Sequence, residues 1–291
     1  MPVTSLLPPQ DKDLGGGFVV RRLLPAPARR AVGPFVFFDH FGPVVTRPGD
    51  NHDVRPHPHI GLATVTYLFA GAVMHRDSLG SAQRIEPGAI NWMNAGRGIV
   101  HSERTPEDLR ATAYTAHGLQ LWAALPRAFE ESAPAFSHTP AAAIPRVEAP
   151  GATVRVLVGE AFGRRSPVQT FVDTLYLDVE ATAGSTLALP IAADRPQQER
   201  AVYSVDGPLI IDGAEVPVHA LAVLAPGVAA QIAAPAGARY VVVGGEPLDG
   251  PRVIWWNFVA SSRERIEAAK DAWRQQRMGG VPGETEFIPL P

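Results

Sequence analysis

Proline and glycine interrupt this chain so often that few folds remain open to it. There are 29 prolines and 27 glycines in 291 residues. Proline removes a backbone donor and breaks helix interiors, and glycine favours turns, so a helical bundle is excluded. Between the interruptions lie short apolar runs rich in Val, Thr and aromatic residues, which is how strands joined by tight turns read. Leu62 to Phe69, closed by Gly71, is the plainest of them. Others are expected at 18–24, 35–39, 73–76, 83–85, 89–93 and 117–123, with Ser78-Leu79-Gly80-Ser81 and Pro87-Gly88 as turns. The first residues read as a mobile start. From Leu125 to about Gly151 the sequence turns Ala- and Pro-rich with no strand period, which marks a domain connector.

A second set of short runs follows at 154–158, 171–179, 185–189, 199–205, 209–211, 219–224 and 238–243. Its spacing repeats the style of the first, so the expected fold is all-β, with two barrels of similar topology. A 46% hydrophobic content suffices for two medium cores. One helix is expected after Ser261, with Ser261 and Glu264 as capping box, Ile266, Ala269 and Trp273 on one face, and Gly279-Gly280 as terminator.

The chemistry concentrates in two stretches, Arg55-Pro56-His57-Pro58-His59-Ile60-Gly61 and Gly96-Arg97-Gly98-Ile99-Val100-His101-Ser102-Glu103. Alternate side chains of a strand point to the same face, so His57 and His59 project together, as do His101 and Glu103. The two stretches are separated by about forty residues of strand-like sequence, which a barrel can fold back to bring them face to face. Three imidazoles and one carboxylate suit a first-row divalent metal and leave coordination positions open. Eight of the nine histidines precede residue 140, a bias that scattered core histidines would not show. His40, His52, His75 and His117 are expected to be hydrogen-bonded residues outside the ligand set. Asp39, Asp53 and Asp77 are candidate acceptors for the second N–H of a ligating imidazole. The second half lacks a paired ligand motif. It has Val202-Tyr203-Ser204-Val205-Asp206-Gly207, and His219 stands alone. Phe35, Phe37, Phe38, Phe41, Trp92 and Trp122 could line a cavity beside the metal, although barrel core is the plainer assignment.

HPHIGLATVTYLF, followed by MHRDSLGSAQRIEPGAINWMNAGRGIVHSER, resembles the metal-binding domain of the pirin family, two-domain members of the cupin superfamily. Phe35 to Pro43 and the ending from Glu286 to Pro291 are similar to further parts of that family. The resemblance implies two cupin-type barrels facing each other. Residues 1–135 would form the metal-binding domain, and 136–291 a degenerate cupin domain carrying the helix and tail. It places the family's ligands on His57, His59, His101 and Glu103, matching the set derived from strand alternation. Many cupins take their carboxylate four or five residues after the second histidine. Here those positions are Ala63 and Thr64, which leaves Glu103. The nuclear pirins carry Arg and Glu at the positions of Ile60 and Ala63, and an acidic residue at that of Ala89.

Several classes are unsupported. A net charge of −3 without a basic stripe gives no reason to expect direct nucleic-acid binding. With no cysteine, neither disulfides nor thiolate ligands arise. No apolar run reaches membrane-spanning length, and the N-terminus does not read as a signal peptide, so a soluble, cytoplasmic protein is expected. Gly15-Gly16-Gly17 has no following lysine or helix start and is not a phosphate cradle. No Ser, His and Asp pattern of a nucleophilic hydrolase is present.

By resemblance the expected activity is that of a mononuclear dioxygenase acting on quercetin-like flavonols. Iron(II) would be its metal, and Mn, Ni, Cu, Co or Zn are compatible with the same donors. Its partners would be a small aromatic or enolic substrate and dioxygen, with Glu103 as both ligand and general base. The main alternative is an iron-dependent regulator that binds a protein partner, as the nuclear pirins are taken to be. A third is a modulator of a metabolic enzyme. Monomer is the default state.

Overall fold

The computed structural model describes residues 2–15, 18–191 and 194–291. Gly16 and Gly17 of the glycine run lie outside the described residues. The chain is mostly β-strand with a single α-helix among the described residues, and it sorts into two compact units. Among those residues no helix is long and apolar enough to cross a membrane.

One unit comprises Lys12–Val20, Asp39–Ala141 and Leu248–Pro291. Its smaller sheet has four strands in the order Val54–His59, Ile99–Arg104, Val73–Asp77 and Ala82–Ile85, all antiparallel. Its larger sheet runs Ala135–Thr139, Ile90–Asn94, Leu62–Ala70, Tyr114–Ala124 and then Phe35–Thr46, whose residues from Asp39 onward belong to this unit. Val54–His59 carries Pro56 and Pro58, which cannot donate to a ladder, and it lies at the edge of its sheet, where proline is tolerated. The Ile288 amide donates to the Pro56 carbonyl, so the C-terminal segment covers that edge.

The other unit comprises Met1–Asp11, Arg21–Phe38 and Ala142–Pro247. It repeats the architecture. Its smaller sheet runs Ser185–Leu189, Ala230–Ala234, Leu209–Ile211 and Ala214–Val216. In sheet order Ser185–Leu189 and Ala230–Ala234 take the places that Val54–His59 and Ile99–Arg104 hold in the first barrel. They contribute Leu187, Leu189 and Ile232 to a hydrocarbon core with Leu177, Val202, Ile211 and Val242. The segment Val202 to Gly207, expected as the ligand-less counterpart, lies in the larger sheet instead.

The structure differs from the sequence reading at four further places. Val3–Leu7 is a strand paired with Leu221–Leu224, where a mobile start was expected. The supposed connector contains Ala135–Thr139, which adds to the larger sheet beside Ile90–Asn94, and Arg146–Ala149, which pairs with Ala152–Val158. Both are short and little buried, so composition hid them. The helix is Arg263–Arg274. Ser262 caps it by accepting from the Arg265 amide, Gln275 closes it before the glycines, and Ser261 donates instead to Glu130. Its expected face is correct, since Ile266, Ala269 and Trp273 are buried. They pack with Ile60, Val100, Phe258 and Ala260 behind the histidine strands. That packing places Leu248–Pro291 in the histidine-bearing unit.

Candidate metal centre

Antiparallel register decides which side chains meet, because directly opposed residues share a face. His101 lies opposite His57 on one side and opposite Asp77 on the other, and Glu103 lies opposite His75. These five side chains therefore line the same face of the four-stranded sheet, and so does His59, two residues along its strand from His57. The register against Val54–His59 shifts between His101 and Glu103.

His57, His59 and His101 are buried, and each offers a ring nitrogen within 4.8 Å of the others. Their ring centroids are 4.4 to 5.0 Å apart. The Nδ1 of His57 is 2.9 Å from the Arg55 carbonyl, and that of His59 is 3.0 Å from the Asn257 carbonyl. A carbonyl only accepts, so both imidazoles carry hydrogen on Nδ1 and turn a bare Nε2 away from these contacts. His101 Nδ1 lies 3.4 Å from His75 Nδ1, while its Nε2 is buried with no partner. A buried nitrogen left in this way beside two others with free lone pairs fits a cation, and the donor set suits a first-row divalent ion.

Burial holds the His57 imidazole down to about 4, with the neighbouring His75 adding to the effect and the Arg55 carbonyl opposing it. Burial and the adjacent imidazoles hold His59 and His101 well below the usual histidine range. All three are neutral at pH 7, the form in which imidazole ligates.

Glu103 stands outside the three-histidine cluster. Its Oε1 is 3.5 Å from Thr66 Oγ1, a long contact, and Thr66 in turn donates to Gln120 at 2.9 Å. Burial raises the Glu103 carboxyl above its ordinary value, against the opposing influence of His75 and Thr66. Among the expected outer acceptors, Asp77 reaches His101 through His75, whose Nε2 is 3.0 Å from Asp77 Oδ2. Burial alone would raise the Asp77 carboxyl, but hydrogen bonds from His75 and Ser81 outweigh it and hold it below the usual range. Asp53 instead accepts from the Thr105 amide and Arg110. His40 and His117 face each other at 2.8 Å through Nε2, and His52 meets Thr46, so neither pair joins the cluster.

Of the aromatic candidates, Trp122 stands 5.3 Å from His59, whereas Phe41 packs in a small core with Leu68 and Ile85. Phe35 and Phe38 pack against Tyr176 and Tyr203 in the other unit's core. The sequence reading missed Phe136, whose ring stacks on His75 at 4.2 Å and 8°. It also missed the Asn257 carbonyl. Neither carries a local signal, since one lies in the supposed connector and the other is a main-chain atom 198 residues from its partner.

The family profile described as Pirin matches residues 17–123, and that described as Pirin C-terminal cupin domain matches residues 176–279. A pirin-like protein of Caulobacter vibrioides is 48% identical over 285 residues, covering 96% of both chains. Human Pirin is 34% identical, covering 95% of this chain and 93% of its own. The crystal structure of a quercetin 2,3-dioxygenase from Acinetobacter baumannii superposes with a TM-score of 0.91 at 36% identity, over 99% of this chain and 94% of the other. With two cupin barrels, a buried histidine triad in the first and relatives of this similarity along nearly the full length, the chain belongs to the pirin family.

Proposed function

We propose that this protein is a mononuclear metal-dependent dioxygenase for quercetin-like flavonols, with His57, His59 and His101 holding the metal and iron(II) as the ion in the cell. The observation that carries this reading is the buried, partnerless Nε2 of His101 beside two imidazoles whose Nδ1–H groups are already committed to carbonyls. The similarity to a quercetin 2,3-dioxygenase supports the substrate class. The chemistry such an ion supplies is Lewis acidity toward an enolic oxygen and redox access to dioxygen.

The residues of the chain do the rest. The three imidazoles stay neutral because the site is dry, so no proton competes for their lone pairs. Glu103 would serve as the general base, taking the flavonol hydroxyl proton onto its carboxylate, and would be the fourth residue to hold the metal. Its raised pKa brings it nearer to the value a base needs at neutral pH. Trp122 packs edge-on against His59, with ring centroids 5.3 Å apart, and adds to the apolar surroundings of that imidazole.

The test is aerobic incubation of the iron-loaded protein with quercetin. Loss of flavonol absorbance with release of carbon monoxide, absent in His101→Ala, is the expected result. Metal-loaded protein inert to a panel of flavonols would overturn the enzyme reading and favour a regulator. Glu103→Gln should retain metal yet lose most turnover, by about 100-fold or more, because an amide cannot take the proton. Full activity in that variant would remove Glu103 as base.

A further inference from the structure

Asp77, His75 and His101 form a row of buried side chains that ends at the partnerless nitrogen. The Oδ1 of Asp77 accepts from the Leu79 and Ser81 amides at 2.9 and 3.0 Å, which fixes the carboxylate in the turn. Its Oδ2 faces His75 Nε2 at 3.0 Å. A carboxylate has only lone pairs to offer, so the hydrogen between them sits on His75 Nε2. One hydrogen occupies the 3.4 Å contact between His75 Nδ1 and His101 Nδ1, and it is its placement on His101 Nδ1 that leaves the buried, partnerless Nε2 bare beside the other two imidazoles. The Nε2 of His101 is left with its lone pair free.

We propose that Asp77 and His75 are a positioning pair that fixes the tautomer of His101, so that Nε2 and not Nδ1 is presented to a cation. This rests on the reading of the triad as a metal site. It goes beyond the ligand set because His101 alone of the three depends on a side-chain relay, whereas His57 and His59 are set by main-chain carbonyls that no substitution can reverse. Stacking on Phe136 holds the His75 ring in the plane that the relay needs.

The relay has a direction, and a single isosteric change should reverse it. In Asp77→Asn the amide oxygen can still accept from the turn, while its NH2 group donates to His75 Nε2. The hydrogen of His75 then moves to Nδ1 and is donated to His101 Nδ1, and the hydrogen of His101 moves to Nε2. The nitrogen meant for the metal becomes blocked. His75→Phe keeps a ring against Phe136 and removes the relay without reversing it. The double variant should therefore bind metal better than Asp77→Asn alone, an order that purely structural damage would not produce.

The experiment has two arms. Two-bond 1H–15N correlation on histidine-labelled apo protein reads the tautomers directly, and titration with Co(II) reads affinity. Wild type is expected to carry hydrogen on Nδ1 of His101, and Asp77→Asn on Nε2 with affinity for Co(II) reduced at least tenfold. In His75→Phe both His101 tautomers should be populated, and the double variant should regain affinity over Asp77→Asn. Hydrogen on Nε2 of His101 in the wild type overturns the relay, as does an unchanged tautomer in Asp77→Asn. If Asp77→Asn does not fold, a single fixed Nδ1–H tautomer in His75→Phe overturns it equally. Wild type with the expected tautomer but no affinity for Co(II) would instead overturn the metal reading, so the two failures are distinguishable.

Discussion

A histidine removed from water resists taking a proton, and three of them in contact resist it together. His57, His59 and His101 all have their protonated forms disfavoured by burial in the folded chain, and His57 is brought to about 4. The unfolded chain takes up protons near pH 6.5, before the folded one does, so stability is intact above that pH and falls as pH drops toward 4. For His57 alone the loss is on the order of 3 kcal/mol across that window. Glu103 acts in the opposite sense, since burial favours its protonated form. Chemical denaturation of the apo protein at pH 7 and pH 5 should show a lower midpoint at pH 5, and an unchanged midpoint would mean the triad is not buried neutral. That His57 and His59 share one strand face, and His101 and Glu103 another, was legible in the sequence, because a period of two along a strand is a local rule. What each imidazole leans on was not legible, because His75, Phe136 and the Asn257 carbonyl arrive only when the barrel closes.

Strands announce themselves by alternation, turns by glycine, and both signals are strong around the site. Leu62–Ala70 and Ile99–Arg104 follow from Val, Thr and Ile runs bounded by glycine. Gly61 links the His57 strand to Leu62–Ala70 in the left-handed region at φ +66°, and a Cβ there would sit 2.0 Å from the Val259 carbonyl oxygen. Its amide donates to the Gly96 carbonyl, and its own carbonyl accepts from the Leu125 amide, so the turn cannot shift. Gly61→Ala should therefore cost roughly 3 kcal/mol or more by thermal or denaturant unfolding. A loss within a few tenths of a kcal/mol would contradict this close approach. The strand at Ala135–Thr139 escaped notice because its alternation is mild and prolines stand at 134 and 140. The tail was equally hard to read. Glu284 accepts from buried Ser102 and from Arg104 on the outer side of the ligand strand, and Trp273 donates to the Ile288 carbonyl, contacts made by residues with no repeat to betray them.

Two barrels of the same strand order differ in what fills them. Leucine and isoleucine occupy the second where histidine occupies the first, so one chain offers a dry hydrocarbon core and a buried histidine cluster built on one plan. The duplication was visible in the sequence as repeated spacing. Grouping the C-terminal helix with the first barrel required knowing which apolar face Ile60 and Val100 present behind the histidines. If only the first barrel holds metal, the stoichiometry is one ion per chain. Elemental analysis after stripping the protein with chelator and reloading it with Fe(II) under anaerobic conditions measures this directly. The account predicts one equivalent in the wild type and none in a folded His57→Ala, His101→Ala double variant. A well-folded wild type that takes up no ion, or a double variant that retains the full equivalent, would contradict it.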